Sequence, residues 1–129
     1  MTKKVDIDSE FYEIVIAYNI LTDEPYLASV IDHLSDKYFE NKSISTIINL
    51  ITTFYKKRSV APTLTELKGY LTTDELKTAF KNVVGLFDNF DKNFNKDELY
   101  ENTERFLKEK AVYHTLMDVA ERTGADELN

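Results

Sequence analysis

The sequence contains no cysteine. That absence excludes disulfides, thiol catalysis and cysteine-based zinc sites, and it suits a reducing cytoplasm. Glycine and proline are nearly as scarce, at three and two residues in 129. A sheet-rich domain needs more turn-forming residues than this, so the shortage favours helices. Long apolar runs are missing too: none approaches the roughly 18–20 residues that cross a bilayer. The first ten residues lack the apolar stretch of a secretory signal. A cytoplasmic protein with no membrane partner is expected. Positive charge is in deficit, with 16 Lys and Arg against 23 Asp and Glu and a net charge of −7. A domain so charged repels a phosphate backbone as a whole, so strong direct nucleic-acid binding is not expected.

What is present describes one helical domain. The 43% hydrophobic and 30% charged residues are globular proportions rather than disordered ones. A chain of this length buries roughly two thirds of its unfolded surface, enough for a single core. Apolar residues at helical spacing predict a central first helix from Ser9 to Leu21 (Phe11, Ile14, Val15, Tyr18, Leu21, widened by Ile16 and Ile20), capped by Asp8 or Ser9. A second helix begins near Asp23 with Pro25 in its first turn. Tyr38 and Phe39 follow in a short connector, one of them plugging the core. The spacing of Ile44, Ile47, Ile48, Ile51 and Phe54 predicts a third helix from Lys42 to Lys57. Thr63 and Glu66 have the spacing of a capping box for a short helix over 64–71, and Thr72 with Glu75 repeats it for a longer one. That next helix carries Leu76, Phe80, Val83, Val84, Phe87 and Phe90. After a polar turn from Asp88 to Asn95, the last helix runs from Lys96 to Thr123, with Gly124 as its C′ residue. The expected fold is all-α: a compact bundle of five to six helices over 1–96, ending in a long terminal helix over 97–129.

Few residues stand in patterns that carry site chemistry. A P-loop needs a glycine-rich turn followed by Lys and Ser or Thr; none of Gly69, Gly85 and Gly124 precedes a lysine. The segment from Asp91 to Asn95 alternates like a calcium loop, but Lys96 and Asn102 stand where Gly and Glu are needed. His33 and His114 are the only histidines, and His114 with Asp118 lacks the further ligands a metal requires. Glu10 and Glu13 have no histidine or metal motif beside them and read as a solvated helix face. The basic run Lys56-Lys57-Arg58 suits the negative end of a helix dipole; its functional alternative is contact with a phosphate backbone or an acidic partner tail. Neither a catalytic residue, a cofactor nor a metal is expected in this chain.

The terminal helix is the most informative element. Leu99, Phe106, Tyr113 and Ala120 recur every seven residues, and Leu107, Ala111, Leu116 and Met117 broaden the stripe. At 1.5 Å per residue it would reach ~40 Å, beyond a bundle whose radius of gyration is ~14 Å. Part of the stripe, chiefly its second half, is expected to lie outside the domain's own core. Phe106, Ala111, Tyr113 and Met117 are the candidate interface residues.

The order of features resembles the N-terminal domain of replicative DNA helicases of the DnaB family, especially those of tailed phages. The resemblance rests on Phe11-Tyr12-Glu13-Ile14-Val15, Asp23-Glu24-Pro25-Tyr26-Leu27 and Lys37-Tyr38-Phe39-Glu40-Asn41. It continues through Ile47-Ile48 to Phe54-Tyr55-Lys56-Lys57, Pro62-Thr63-Leu64-Thr65-Glu66-Leu67 and the segment from Thr103 to Tyr113. It spans nearly the whole chain, and its specificity lies in the ordered set rather than in any one piece. It implies a collar domain that self-associates within a hexameric ring and contacts primase and a helicase loader. ATP and magnesium would belong to a separate motor domain. The terminal helix would be the first arm of a helical hairpin turning near Gly124, so a piece lacking the second arm is expected. The other reading is a stand-alone phage adaptor or inhibitor that binds a host protein through its acidic surface. A helix-turn-helix DNA binder is disfavoured by the charge.

Overall fold

The computed structural model describes residues 9–128, with side chains for 9–88 and 90–123. Six α-helices follow one another: α1 Ser9–Thr22, α2 Glu24–Val30, α3 Lys42–Arg58, α4 Leu64–Gly69, α5 Asp74–Leu86 and α6 Lys96–Leu128. Single 3-10 turns lie at Ile31–His33, Asp36–Tyr38 and Phe87–Asn89, and no strand occurs among the described residues. The all-α bundle ending in a long helix is therefore the fold. Asp8, an expected cap, lies outside the described residues, as does Asn129; Ser9 is already helical.

α1 packs against α2, α3 and α5. Its inner side differs from the expected stripe. Val15, Ile16, Ala17 and Ile20 are buried, whereas Phe11 is exposed and Ile14, Tyr18 and Leu21 are only half-buried. A helix that is apolar nearly all round has no single periodic face to read, so its neighbours decide which side is innermost. Asp23 caps α2 by accepting from the Tyr26 amide at 3.1 Å, and Pro25 occupies the first turn. In the connector Phe39 is the buried aromatic and Tyr38 is half-buried. α3 buries all five expected residues, from Ile44 to Phe54. Asn41 caps its start and Ser59, at φ 59°, ends it.

Thr63 and Glu66 form the capping box of α4, each side chain bonding the other's amide. For α5 the cap is Thr73, not Thr72: its hydroxyl accepts from the Leu76 amide at 3.1 Å. Adjacent threonines offer the same oxygen, and Thr73 stands directly before the first helical residue with the extended backbone that turns its oxygen onto the first free amides. From the expected α5 stripe Val83 is buried, while Val84 is exposed. The loop to α6 is clasped by aromatic edges. The Tyr18 ring meets Phe87 at 5.2 Å and Phe90 at 5.6 Å, with the Lys92 ammonium 4.7 Å from the centre of Phe90. Asn95 then caps α6, accepting from the Glu98 amide at 3.0 Å.

α6 does not stop at Gly124 but continues to Leu128. One helical glycine costs about 1 kcal/mol against alanine, too little to end a helix that no following proline interrupts. The first half of α6 is fastened to the bundle by buried Leu99, Thr103, Phe106 and Leu107. Thr103 shares a hydrogen bond of 2.7 Å with the Tyr26 hydroxyl, and both side chains are fully buried. Burial pushes the Tyr26 phenol well above its usual range, so it stays neutral and hydrogen-bonded. Tyr26→Phe strands the Thr103 hydroxyl and is expected to cost about 1–2 kcal/mol. Adding Thr103→Val removes the stranded group and should restore part of that loss. Urea unfolding of both singles and the double measures the coupling, and strict additivity would refute it.

Lys96, the first residue of α6, donates to the Asp23 carboxylate at 2.6 Å. That hydrogen bond holds the Asp23 carboxyl below its ordinary range, with the Tyr26 amide helping. A depressed carboxyl stabilises the fold above its unfolded pKa of about 3.9, and the contribution is lost as pH falls through the folded value. The stability difference between wild type and Lys96→Met is therefore expected at pH 7 and should fade in acid melts below about pH 4. A difference that persists undiminished there would contradict the pairing. Among the described residues no helix is long and apolar enough to cross a membrane.

Candidate interface on the terminal helix

The structure divides α6 into two unlike halves. Up to His114 one side of the helix faces the bundle. Lys110 reaches Glu40 at 3.5 Å and lies over the Phe106 ring at 5.5 Å, and the His114 ring rests against Tyr38 at 5.6 Å. From Thr115 to Thr123 every side chain is exposed. Yet that stretch and the turn before it are not polar. Val112, Tyr113, Leu116, Met117 and Val119 are all exposed, Leu116 at 62%.

The two apolar regions lie on different sides of the helix. At about 100° per residue, Leu99, Thr103, Phe106, Leu107, Lys110 and His114 fall within one arc. Val112, Leu116 and Val119 lie nearly opposite it. Ala120 and Tyr113 fill the side between, while Met117 lies in line with Leu99 and is exposed because it stands beyond the bundle's edge. The centre of the free face is turned by about 120° from the bundle-facing one. A slight bend of α6 toward its own bundle would leave most of this face in water.

The four residues expected at an interface separate accordingly. Phe106 is a correction: it is 8% exposed and packs on Tyr12 and Phe39, at 6.3 and 5.8 Å between ring centres, so it belongs to the domain's core. Ala111 is half-buried, and Tyr113 and Met117 are exposed. The seven-residue stripe joined Phe106 to Tyr113 because a heptad drifts by only ~20° round a straight helix. That drift carries Tyr113 to the rim of the bundle-facing side, where the bundle's cover gives out. Val112, Leu116 and Val119, which complete the face, sit at i, i+4, i+7 spacing. That spacing was present in the sequence but was hidden beside the longer heptad stripe.

Beside this face runs an open groove of about 920 Å³, walled by α6, the connector and the start of α1. Tyr12, Tyr38, Tyr113 and His114 give it an aromatic lining, with Arg105 and Lys110 at its edge. Burial pushes the Tyr12 phenol above its usual range, with Arg105 acting the other way. The connector is held in place from beneath by Glu13, a second correction to the sequence reading. Glu13 is 1% exposed. Its two carboxylate oxygens accept from the Glu40 and Asn41 amides, each at 2.9 Å. The signal missed was its spacing on α1, three, four and seven residues before Ile16, Ala17 and Ile20, all of them buried.

No group of three or more metal-ligating side chains occurs among the described residues. No family model, curated protein or solved structure matches this chain.

Proposed function

We propose that this chain is an assembly and partner-docking domain that pairs through the second half of α6, and that it serves as the N-terminal collar domain of a hexameric replicative DNA helicase of the DnaB kind. The observation that carries the first part is the apolar face of Val112, Leu116 and Val119, exposed and turned away from the chain's own bundle, and flanked by exposed Tyr113 and Met117. Scattered exposed apolar residues are ordinary, but a contiguous patch marks an interaction surface. A second copy is the simplest occupant, because a two-fold axis lets one helix face cover itself. The ordered motifs of the sequence support the helicase reading. In it, primase and a loader are further partners, nucleotide chemistry belongs to a separate motor domain, and the setting is the cytoplasm of an infected cell.

Two measurements test the two parts. Sedimentation equilibrium of this chain is expected to show a concentration-dependent dimer; a monomer up to millimolar concentration would overturn the pairing. The coding sequence beyond Asn129 is expected to enter a P-loop motor domain. A stop codon at that point would replace the helicase reading with a stand-alone adaptor and leave the pairing intact.

A further inference from the structure

The second concentration of exposed apolar side chains lies at the corner where α3 ends and α4 begins, and it shares no residue with the α6 face. Val60, Leu64 and Tyr70 are 55%, 54% and 41% exposed there. The same corner carries the chain's densest positive charge, Lys56-Lys57-Arg58, and Lys68 stands two residues before Tyr70. These cations are exposed, and among the described residues none of them forms an ion pair. Arg58 is oriented by the fold: its guanidinium lies 5.7 Å from the centre of the Phe54 ring and 3.5 Å from the Tyr70 hydroxyl. The Tyr70 ring stands edge-on to Phe54 at 5.4 Å. Glu66, the acid of α4, is held in the capping box, its carboxylate accepting from the Thr63 amide.

The helix dipole accounts for cations after α3. It does not account for the exposed apolar side chains that follow them, nor for a locally positive corner on a chain of net charge −7. We infer that this corner is a docking site for an acidic peptide segment of another protein, whose carboxylates meet Lys56, Lys57, Arg58 and Lys68 while an apolar side chain seats on Val60, Leu64 and Tyr70. Complementary charge selects the partner and speeds encounter. The apolar contact gives preference over a bare polyanion. Single-stranded nucleic acid is the competing occupant; the net charge opposes both anions alike, but exposed Val60 and Leu64 suit an aliphatic side chain, and Tyr70, the aromatic on which a base would stack, is already engaged by Phe54 and Arg58.

The test is fluorescence anisotropy at low salt with three probes. The first is a labelled peptide alternating Asp and Glu with Leu and Phe. The second is the same peptide with Ser in place of its apolar residues. The third is an oligothymidylate of equal charge. The acidic apolar peptide is expected to bind saturably, with the Ser version at least ~10-fold weaker and the oligothymidylate weaker than the first. K56E/K57E and Leu64→Ser should each weaken the first peptide by about 10-fold or more while keeping native helical content and cooperative unfolding. Lys77→Glu/Lys81→Glu, on the exposed side of α5, should leave it unchanged. A variant unable to pair through α6 should bind it as wild type does, which separates this site from the pairing face. The proposal is overturned if the first peptide does not bind, if the oligothymidylate binds more tightly, or if the α5 reversals weaken binding as much as the corner reversals.

Discussion

Glu13→Ala is expected to lower the stability of the fold by about 3–4 kcal/mol, the largest effect of any polar substitution in this chain. The carboxylate is nearly inaccessible and accepts two amide hydrogen bonds, from residues 40 and 41. Hydrogen bonds to a charged group contribute about 1.5–3 kcal/mol each. Water reaching the truncated site offsets part of the sum. Burying a carboxylate is itself costly, and many buried charges can be exchanged for apolar groups with little loss. That exchange is closed here. The partners are backbone amides, which no substitution at position 13 removes, so any apolar residue there leaves both without an acceptor. Glu13→Gln keeps one oxygen and turns an NH2 group toward the other amide; about 2 kcal/mol is expected. Urea unfolding with an unchanged m-value measures both. A loss below about 0.5 kcal/mol for the alanine variant, the range of ordinary surface changes, would show that the clamp contributes nothing.

The clamp also bears on the candidate site. Glu40 and Asn41 end the connector that forms one wall of the groove beside α6, and Glu40 is the partner of Lys110. Loosening that wall removes contacts near the point where α6 leaves the bundle. A Glu13 variant is thus expected to affect partner docking as well as melting temperature.

Val112→Glu/Leu116→Glu should abolish self-association while leaving the monomer's melting temperature within ~1 °C. Both side chains are more than half exposed and nearly opposite the bundle-facing side, so folding of the monomer does not use them. A two-fold pairing buries both residues of each copy, and a buried apolar side chain contributes about 1.5–3 kcal/mol. Four such losses, together with the desolvation of carboxylates, far exceed the roughly 2.7 kcal/mol that separates a hundredfold change in dissociation constant. A dimer that survives at wild-type affinity would place the contact elsewhere. Phe106→Glu gives the opposite pattern: it should unfold the monomer, because that ring lies in the core against Tyr12 and Phe39.

Much of the architecture was legible because it depends on interactions a few residues apart. The capping box of Thr63 and Glu66, Pro25 in the first turn of α2 and the five-residue face of α3 are all local patterns. They reappear in the structure at the same residues. Where the sequence reading missed, more than one local solution was available. Thr72 and Thr73 offer the same hydroxyl, Gly124 is compatible with either ending or continuing a helix, and α1 is too evenly apolar to reveal its inner side.

The sequence by itself determined that this is an all-α chain closing on a long amphipathic helix, because helical periodicity and capping are written within one or two turns. Only the tertiary structure decided which apolar residues of that helix are core and which are free. Phe106 and Tyr113 occupy equivalent heptad positions, and the bundle covers the first but leaves the second exposed. In the same way it made Glu13 a buried clamp rather than a solvated acid, by bringing two amides nearly thirty residues away onto its carboxylate. Contacts between segments far apart in the chain leave no local periodic trace, and they are what sort a stripe of side chains into core and surface.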